Sequence, residues 1–225
     1  MLKIMKTFTN THDGNLAFHV GDDPLNVEKN RKIIARKYNY DGDKLRYMEQ
    51  VHGNTVQIVT STSPLLIESC DGIITNEKNL PLMVMVADCI PILLWDEIQG
   101  VIAAVHAGRN STFQEIVQET VGKMIDTFAC KSENIHAQLG PSIQKCCYEV
   151  SSELATIVAN SFGVEFVNNR LIDLQGINKK QLLDLGVNHV EISEICTKCS
   201  SAPYFSYRLD KHTGRFAGLI MLHES

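Results

Sequence analysis

Leu82-Met83-Val84-Met85-Val86, followed by Ala87-Asp88-Cys89, and Val101-Ile102-Ala103-Ala104-Val105, followed by His106-Ala107-Gly108, decide the fold of this chain. Both apolar runs are short, continuous and bounded by Pro or Gly. Runs without alternation fit strands buried on both faces, although periodicity alone leaves a buried helix open. Each run ends by handing a metal-capable side chain, Cys89 or His106, to whatever lies beyond it. Asp88, at the end of so apolar a stretch, needs a partner to offset its desolvation, and a ligand imidazole or its surroundings would supply one.

Upstream, Gln50-Val51-His52-Gly53 offers a third donor in a tight turn. Two imidazoles and a thiolate suit zinc, and three protein ligands rather than four leave a position for water or substrate. The plainer reading is that Cys89 is a small core residue and each histidine is packing or surface. The wide spacing has nothing of a compact zinc-finger pattern, so spacing alone leaves both readings open.

Beyond His106 the period becomes helical, with Phe113, Ile116, Val117, Val121, Met124, Ile125 and Phe128 on one face. Thr112 and Glu115 have the spacing of a capping box that would start this helix. The turn from His106 to Ser111 is then a strand end feeding a helix N-terminus, a seat for phosphate to which Arg109 adds charge. Many such turns bind nothing. Elsewhere, Asp22-Asp23-Pro24 predicts a helix running through Lys37. Strand-like runs surround 51–59 and 73–75. Helices are expected over 151–162 and 178–185, the latter stopped by Gly186, with strands over 171–174 and 217–222. Strands and helices mix without strict alternation, which predicts an α+β fold. No repeat or linker divides the 225 residues, so residues 1–225 read as one domain.

A net charge of -5 argues against a nucleic-acid surface, which needs clustered Lys and Arg. The N-terminal segment turns polar too soon for a signal peptide, and Leu80 to Trp95 is interrupted by Asp88 and Pro91 and too short to span a bilayer. The expectation is a cytoplasmic protein without a membrane partner. Seven cysteines, an odd number, fit reduced thiols better than a disulfide scaffold. Cys196-Thr197-Lys198-Cys199 has no second Cys-x-x-Cys to complete four ligands, so its spacing reads as incidental, and Cys146 and Cys147 read as packing. The same segment with His189-Val190-Glu191 gives pieces of a cytidine-deaminase signature, but Ile195 stands where Pro should.

With these segments in hand, the sequence resembles the laccase-domain family of multifunctional purine nucleoside phosphorylases. The resemblance is carried in the first half by His19-Val20-Gly21-Asp22-Asp23-Pro24, Asn30-Arg31, Gln50-Val51-His52-Gly53, Asp71-Gly72-Ile73-Ile74-Thr75, Ala87-Asp88-Cys89-Ile90-Pro91 and Val105-His106-Ala107-Gly108. The second half adds Leu139-Gly140-Pro141-Ser142-Ile143, Cys147-Tyr148-Glu149-Val150, Cys196-Thr197, Phe205-Ser206-Tyr207-Arg208 and Thr213-Gly214-Arg215. It implies zinc, with copper as the alternative metal, on His52, Cys89 and His106. It also implies a mixed-sheet sandwich flanked by helices, similar to cytotoxic necrotizing factor-like hydrolases. The implied activity is phosphorolysis of adenosine, inosine, guanosine and S-methyl-5'-thioadenosine, with adenosine deamination at the same site. One departure is the turn itself: the family usually has Trp-Arg-Gly-Thr where this chain has Arg109-Asn110-Ser111-Thr112.

Phosphorolysis needs cations for phosphate and a proton donor for the departing purine. Arg208 is the first candidate for the cation, followed by Arg31, Arg109 and Arg215, because the guanidinium fork matches phosphate. Each taken singly reads equally well as a structural or surface ion pair. Asp88 is a proton carrier or an anchor behind the ligands. A Cys-His hydrolase, with Cys89 as nucleophile and His106 as base, would use two of the same residues without metal. Eight scattered histidines with no His-x-His pair make a multicopper oxidase a poor fit and any copper-dependent phenol oxidation incidental. A binding module that takes purine nucleosides without turning them over is the non-enzymatic alternative.

Overall fold

In the structure, a computed structural model that describes residues 3–223, the two apolar runs are central strands of two different sheets. Leu82–Val86 sits in a five-stranded sheet whose spatial order is Lys3–Phe8, Phe216–His223, Leu82–Val86, Arg46–Met48, Leu66–Ile67. Its first three strands are antiparallel and the last two join in parallel. Ile90–Asp96 and Val101–Ala107 form the middle of a six-stranded sheet, in the order His189–Ile192, Ile135–Leu139, Ile90–Asp96, Val101–Ala107, Gly72–Thr75, Val56–Ile58. This second sheet is antiparallel at its centre and parallel at both edges.

The lack of alternation has a direct cause: every central strand is covered on both faces. In Leu82–Val86, Leu82, Val84 and Val86 point into the layer between the sheets, while Met83 and Met85 pack with Leu16 and Ile34 on the outer side. In the second sheet Leu93, Trp95, Ile102 and Ala104 face the first sheet. Ile92, Leu94, Ala103 and Val105 lie on the outer side with Val117, Val121, Met124 and Leu182 from the helices Ile116–Phe128 and Leu174–Asp184. The helix Pro24–Lys37 covers the first sheet. The result is an α+β sandwich of four layers, helix, sheet, sheet, helix. Truncating a side chain at its centre, such as the fully buried Leu93, costs about 2–5 kcal/mol.

Local expectations met the structure unevenly. The helix after Asp23, whose carboxylate accepts the Leu25 amide, runs as expected to Lys37, and Ser152–Ser161 and Phe216–His223 form where the sequence predicts them. The capping box does not form. A short helix, Arg109–Phe113, starts at the turn itself, and Glu115 at φ 61° separates it from Ile116–Phe128. Thr112 is unavailable as a cap because its hydroxyl is buried and accepts from Asn178 Nδ2 at 2.9 Å. The helix expected from 178 begins at Leu174, since Asp173 caps the Gly176 amide at 2.8 Å, and this shortens the preceding strand to Leu171–Ile172. The run 51–59 forms a strand only over Val56–Ile58. Among the described residues no helix is long and apolar enough to cross a membrane.

Candidate functional site

His106 continues the row of Ile102 and Ala104, so it faces the layer between the sheets at the very end of its strand. Cys89 lies in the turn that carries the chain from Leu82–Val86 in one sheet to Ile90–Asp96 in the other. His52 arrives from the loop before Val56–Ile58. The three donor atoms lie within 4.8 Å of one another, with Cys89 Sγ 3.9 Å from His52 Nε2. The two rings meet edge-on at 79° with centroids 4.7 Å apart. Tetrahedral zinc with nitrogen and sulfur ligands sets its donors about 3.3–3.8 Å apart, so small side-chain adjustments bring these three onto one ion.

Two features show that the surroundings fit an ion. A Cβ on Gly108 would stand 2.9 Å from His52 Cδ2 and 3.2 Å from Cys89 Sγ, so glycine keeps the space among the ligands clear. The backbone at His52 (φ 59°) and at Asp88 (φ 87°) is held in the left-handed region, which non-glycine residues adopt at a cost.

Asp71 organises the cluster. Its fully buried carboxylate accepts from His106 Nδ1 at 2.8 Å and from the backbone amides of Val51, His52 and Gly53 at 3.2, 2.9 and 2.7 Å. One carboxylate therefore aims the His106 ring, leaving Nε2 for a metal, and pins the loop that carries His52. The Gln50 side chain adds a second tie, bonding both the amide and the carbonyl of Met85. Burial pushes the Asp71 carboxyl up, but the His106 ring and the Gly53 and His52 amides outweigh it and hold the group below the usual range. Burial likewise opposes charge on Cys89 and His106. Their mutual attraction wins, taking the thiol down to about 6, with help from His52, and the imidazole up to about 9, with help from Asp71. Without metal, these contacts favour a thiolate facing an imidazolium.

The structure corrects the expectation for Asp88. Its carboxylate accepts from the Thr197 hydroxyl and from the Arg208 amide, both at 2.7 Å, and its carbonyl from the Ile143 amide at 2.9 Å. Its desolvation is met by two distant loops, and the acid that orients the His106 imidazole is Asp71. A signal for Asp71 was present, since it stands at the mouth of the fully buried strand Gly72–Thr75 much as Asp88 follows Leu82–Val86.

The arginines divide by environment. Arg208 stacks on Tyr148 at 4.9 Å and donates from Nη1 to the Glu149 carbonyl at 3.0 Å. Arg215 is half-buried, donates to the Thr213 and Gly214 carbonyls, and lies within electrostatic reach of Cys89 and Asp88. Arg109 is exposed beside Asn110. Ser111, in the altered turn, buries a hydroxyl that finds no partner among the described residues. Arg31 lies between Phe18 (4.5 Å) and Tyr47 (4.2 Å), its Nε donates to the Leu16 carbonyl at 2.8 Å, and it lines a cleft with His19 and Gln50. Tyr148 was not singled out from the sequence, yet its phenol feels Cys89, Arg109 and Arg208, and burial raises its pKa so that it stays protonated at neutral pH. Burial, with Arg215 and Arg31, lowers the pKa of His19, which shares with Phe18, Tyr47 and Gln50 a cleft of about 440 Å³.

Known proteins share this architecture and this sequence. The family model described as multi-copper polyphenol oxidoreductase laccase matches residues 7–223. Purine nucleoside phosphorylase Cgl2154/cg2365 of Corynebacterium glutamicum is 37% identical over 214 residues, covering 92% of this chain and 86% of the relative. Purine nucleoside phosphorylase YlmD of Bacillus subtilis is 30% identical over 229 residues, covering 94% and 82%. The crystal structure of YlmD from Geobacillus stearothermophilus superposes with a TM-score of 0.91 at 28% identity, covering 98% of this chain and 92% of that one. A match over nearly the whole length, on a fold shared with solved relatives, places this chain in the laccase-domain family of multi-copper polyphenol oxidoreductases, whose curated relatives bear the name purine nucleoside phosphorylase.

Proposed function

We propose that the chain is a zinc-dependent purine nucleoside phosphorylase acting on adenosine, inosine, guanosine and S-methyl-5'-thioadenosine, and that it deaminates adenosine at the same site. The observation that carries this reading is the convergence of His52, Cys89 and His106, with Arg215 in electrostatic reach of Cys89 and with Arg208 and Arg109 around Tyr148, in a chain whose relatives bear the phosphorylase name. A cytoplasmic location and a likeness of the sandwich to cytotoxic necrotizing factor-like hydrolases belong to the same proposal.

His52, Cys89 and His106 would hold the ion, which when bound supplies a Lewis acid and brings the ionisation of water down to about pH 7, as hydrolytic deamination requires. The remaining work falls to the chain's own groups. Phosphorolysis joins a phosphate oxygen to the glycosidic carbon of ribose while the bond to the purine breaks. Arg208 and Arg215 hold the phosphate, and exposed Arg109 adds positive charge at the rim. The protonated phenol of Tyr148 can supply the proton that the departing purine takes. Asp88 holds the loops of Thr197 and Arg208 in place as an anchor. The cleft of Phe18, His19, Tyr47 and Gln50 has the size and aromatic lining of a small-ligand site.

Metal-defined protein incubated with adenosine, with and without phosphate, tests the proposal. Adenine and ribose 1-phosphate are expected only with phosphate, and inosine and ammonia in its absence. Adenosine recovered intact from both incubations overturns the enzymatic reading, and binding without turnover would make the protein a nucleoside-binding module. The thiolate–imidazolium polarity of Cys89 and His106 favours one rival, a Cys-His hydrolase. Full activity in metal-free protein would select it. Two imidazoles and a thiolate are also a donor set used by copper, so phenol oxidation by copper-loaded protein is the second arm of the same metal comparison.

A further inference from the structure

We infer that Cys146, Cys147, Cys196 and Cys199 form a second metal site, a closed four-thiolate site for a divalent ion of the zinc class, which fastens the loop of residues 142–150 to the loop of residues 195–200. The inference does not depend on the phosphorylase reading. Two cysteine pairs that looked incidental in sequence meet in space: all four sulfurs lie within 4.8 Å of one another, and those of Cys146 and Cys199 are 3.5 Å apart. A tetrahedral zinc bound by four thiolates sets its sulfurs about 3.8 Å apart, so the observed spread brackets the required one.

The backbone builds this arrangement. The Thr197 amide donates to the Ser142 carbonyl at 3.0 Å, and the Gln144 side chain bonds the carbonyls of Ser193 and Ile195 at 3.2 and 3.4 Å. A tight turn then follows, in which the amides of Cys147 and Tyr148 both donate to the Gln144 carbonyl at 2.9 Å. On the opposite loop the Ser200 amide donates to the Cys196 carbonyl at 3.1 Å, closing the turn that brings Cys196 and Cys199 together. The adjoining cleft is lined by Lys145 and Lys179 together with Asp173 and Glu194, and Lys145 pairs with Asp173 at 3.6 Å.

Four ligands leave no open position, so the ion is structural. Loading it displaces the proton of each thiol to solvent and oxidises nothing. A Cys146–Cys199 disulfide is the competing fate. It would need the sulfurs to close from 3.5 Å to about 2.05 Å and would consume an oxidant. The position of the site gives it a use. Cys147 is followed by Tyr148, on which Arg208 stacks, and Cys196 by Thr197, which holds Asp88 next to Cys89. The ion clamps two loops that form one wall of the first cluster.

The decisive protein carries Cys89→Ser and His106→Ala, which dismantle the first cluster, and is reconstituted under reducing conditions with zinc or cobalt(II). It should retain one equivalent, and cobalt should show the strong thiolate-to-metal charge transfer of a tetrahedral four-sulfur site. Adding Cys146→Ser and Cys199→Ser should abolish both. Failure of the folded double variant to retain metal, an undiminished equivalent after the two added substitutions, or a cobalt spectrum lacking thiolate character would overturn the inference. Should the double variant not fold, elemental analysis of the wild-type chain against Cys146→Ser/Cys199→Ser decides: two equivalents falling to one supports the site, and an unchanged count or a metal-free Cys146–Cys199 disulfide refutes it.

Discussion

His52, Cys89 and His106 are mounted at strand ends or on a loop pinned to a buried carboxylate, whereas Cys146, Cys147, Cys196 and Cys199 sit on two loops, Cys196 buried and Cys146 and Cys199 exposed. The first cluster is pre-organised: Asp71 fixes a ring and a loop, Gly108 keeps the centre clear, and the sandwich holds the whole in register. The second has a full set of ligands and a scaffold that needs them. An incomplete donor set on a rigid frame leaves room for chemistry, while a complete set on loops substitutes for a hydrophobic core. The contrast therefore yields opposite expectations for what losing an ion does.

The largest effect should follow from removing a ligand of the rigid cluster. Cys89→Ala or His106→Ala is expected to lose that metal equivalent and to reduce phosphorolysis by more than the roughly 100-fold upper figure for groups that merely support ligands. Elemental analysis and initial rates check this, and undiminished turnover would remove the cluster from the chemistry. Asp71→Asn keeps the ligands and removes the charge behind them. Metal affinity in a competitive chelator titration should fall about 10–100-fold, without change at the four cysteines. An affinity equal to wild type would reduce Asp71 to a loop tether.

Gly108→Ala tests the geometry with a single methyl group. The backbone there, at φ -76°, accepts alanine without strain, so the cost comes from the 2.9 Å approach to the His52 ring. Affinity should drop by roughly tenfold, the low end for ligand-orienting groups, with the melting temperature unmoved. The arginines separate next. Arg208→Ala should raise the KM for phosphate by about tenfold, one phosphate contact's share of binding free energy, and an unchanged phosphate dependence would exclude it. Arg31→Ala should instead cost about 1–2 kcal/mol of stability through lost stacking on Phe18 and Tyr47, seen as a melting temperature lower by about 2–4 °C per kcal/mol.

These sites were unequally legible in the sequence for a physical reason. Strands buried on both faces announce themselves by unbroken apolar runs, and a His or Cys at such a run's end is conspicuous, so His106 and Cys89 could be read locally. Asp71 could not. It reaches His106 only because Gly72–Thr75 pairs with Val101–Ala107 in the register Gly72 to Val105, and no local period encodes which strands become neighbours. The four cysteines meet through a parallel bridge between Ser142 and Cys196, two positions far apart in sequence. The setting of Arg31 was hidden for a similar reason: its aromatic partners, Phe18 and Tyr47, come from different segments. The misplaced capping box shows the converse, a local motif overridden when Asn178 claims the Thr112 hydroxyl.

The smallest expected difference concerns acidity. In reduced, chelated protein, Cys89 is a thiolate down to about pH 6, because His106 and His52 outweigh its burial. Cys196 is drawn down only to about 7, its burial offset by the Gln144, Cys199 and Lys198 amides. Only the thiolate attacks an alkylating reagent. As pH rises, modification of both Cys89 and Cys196 should reach its plateau below the pH at which an ordinary thiol does. Peptide-level mass spectrometry across this range measures both in one sample. If both cysteines titrate together near the ordinary thiol value, the rigid cluster lacks the electrostatic pre-organisation that sets it apart from the loops.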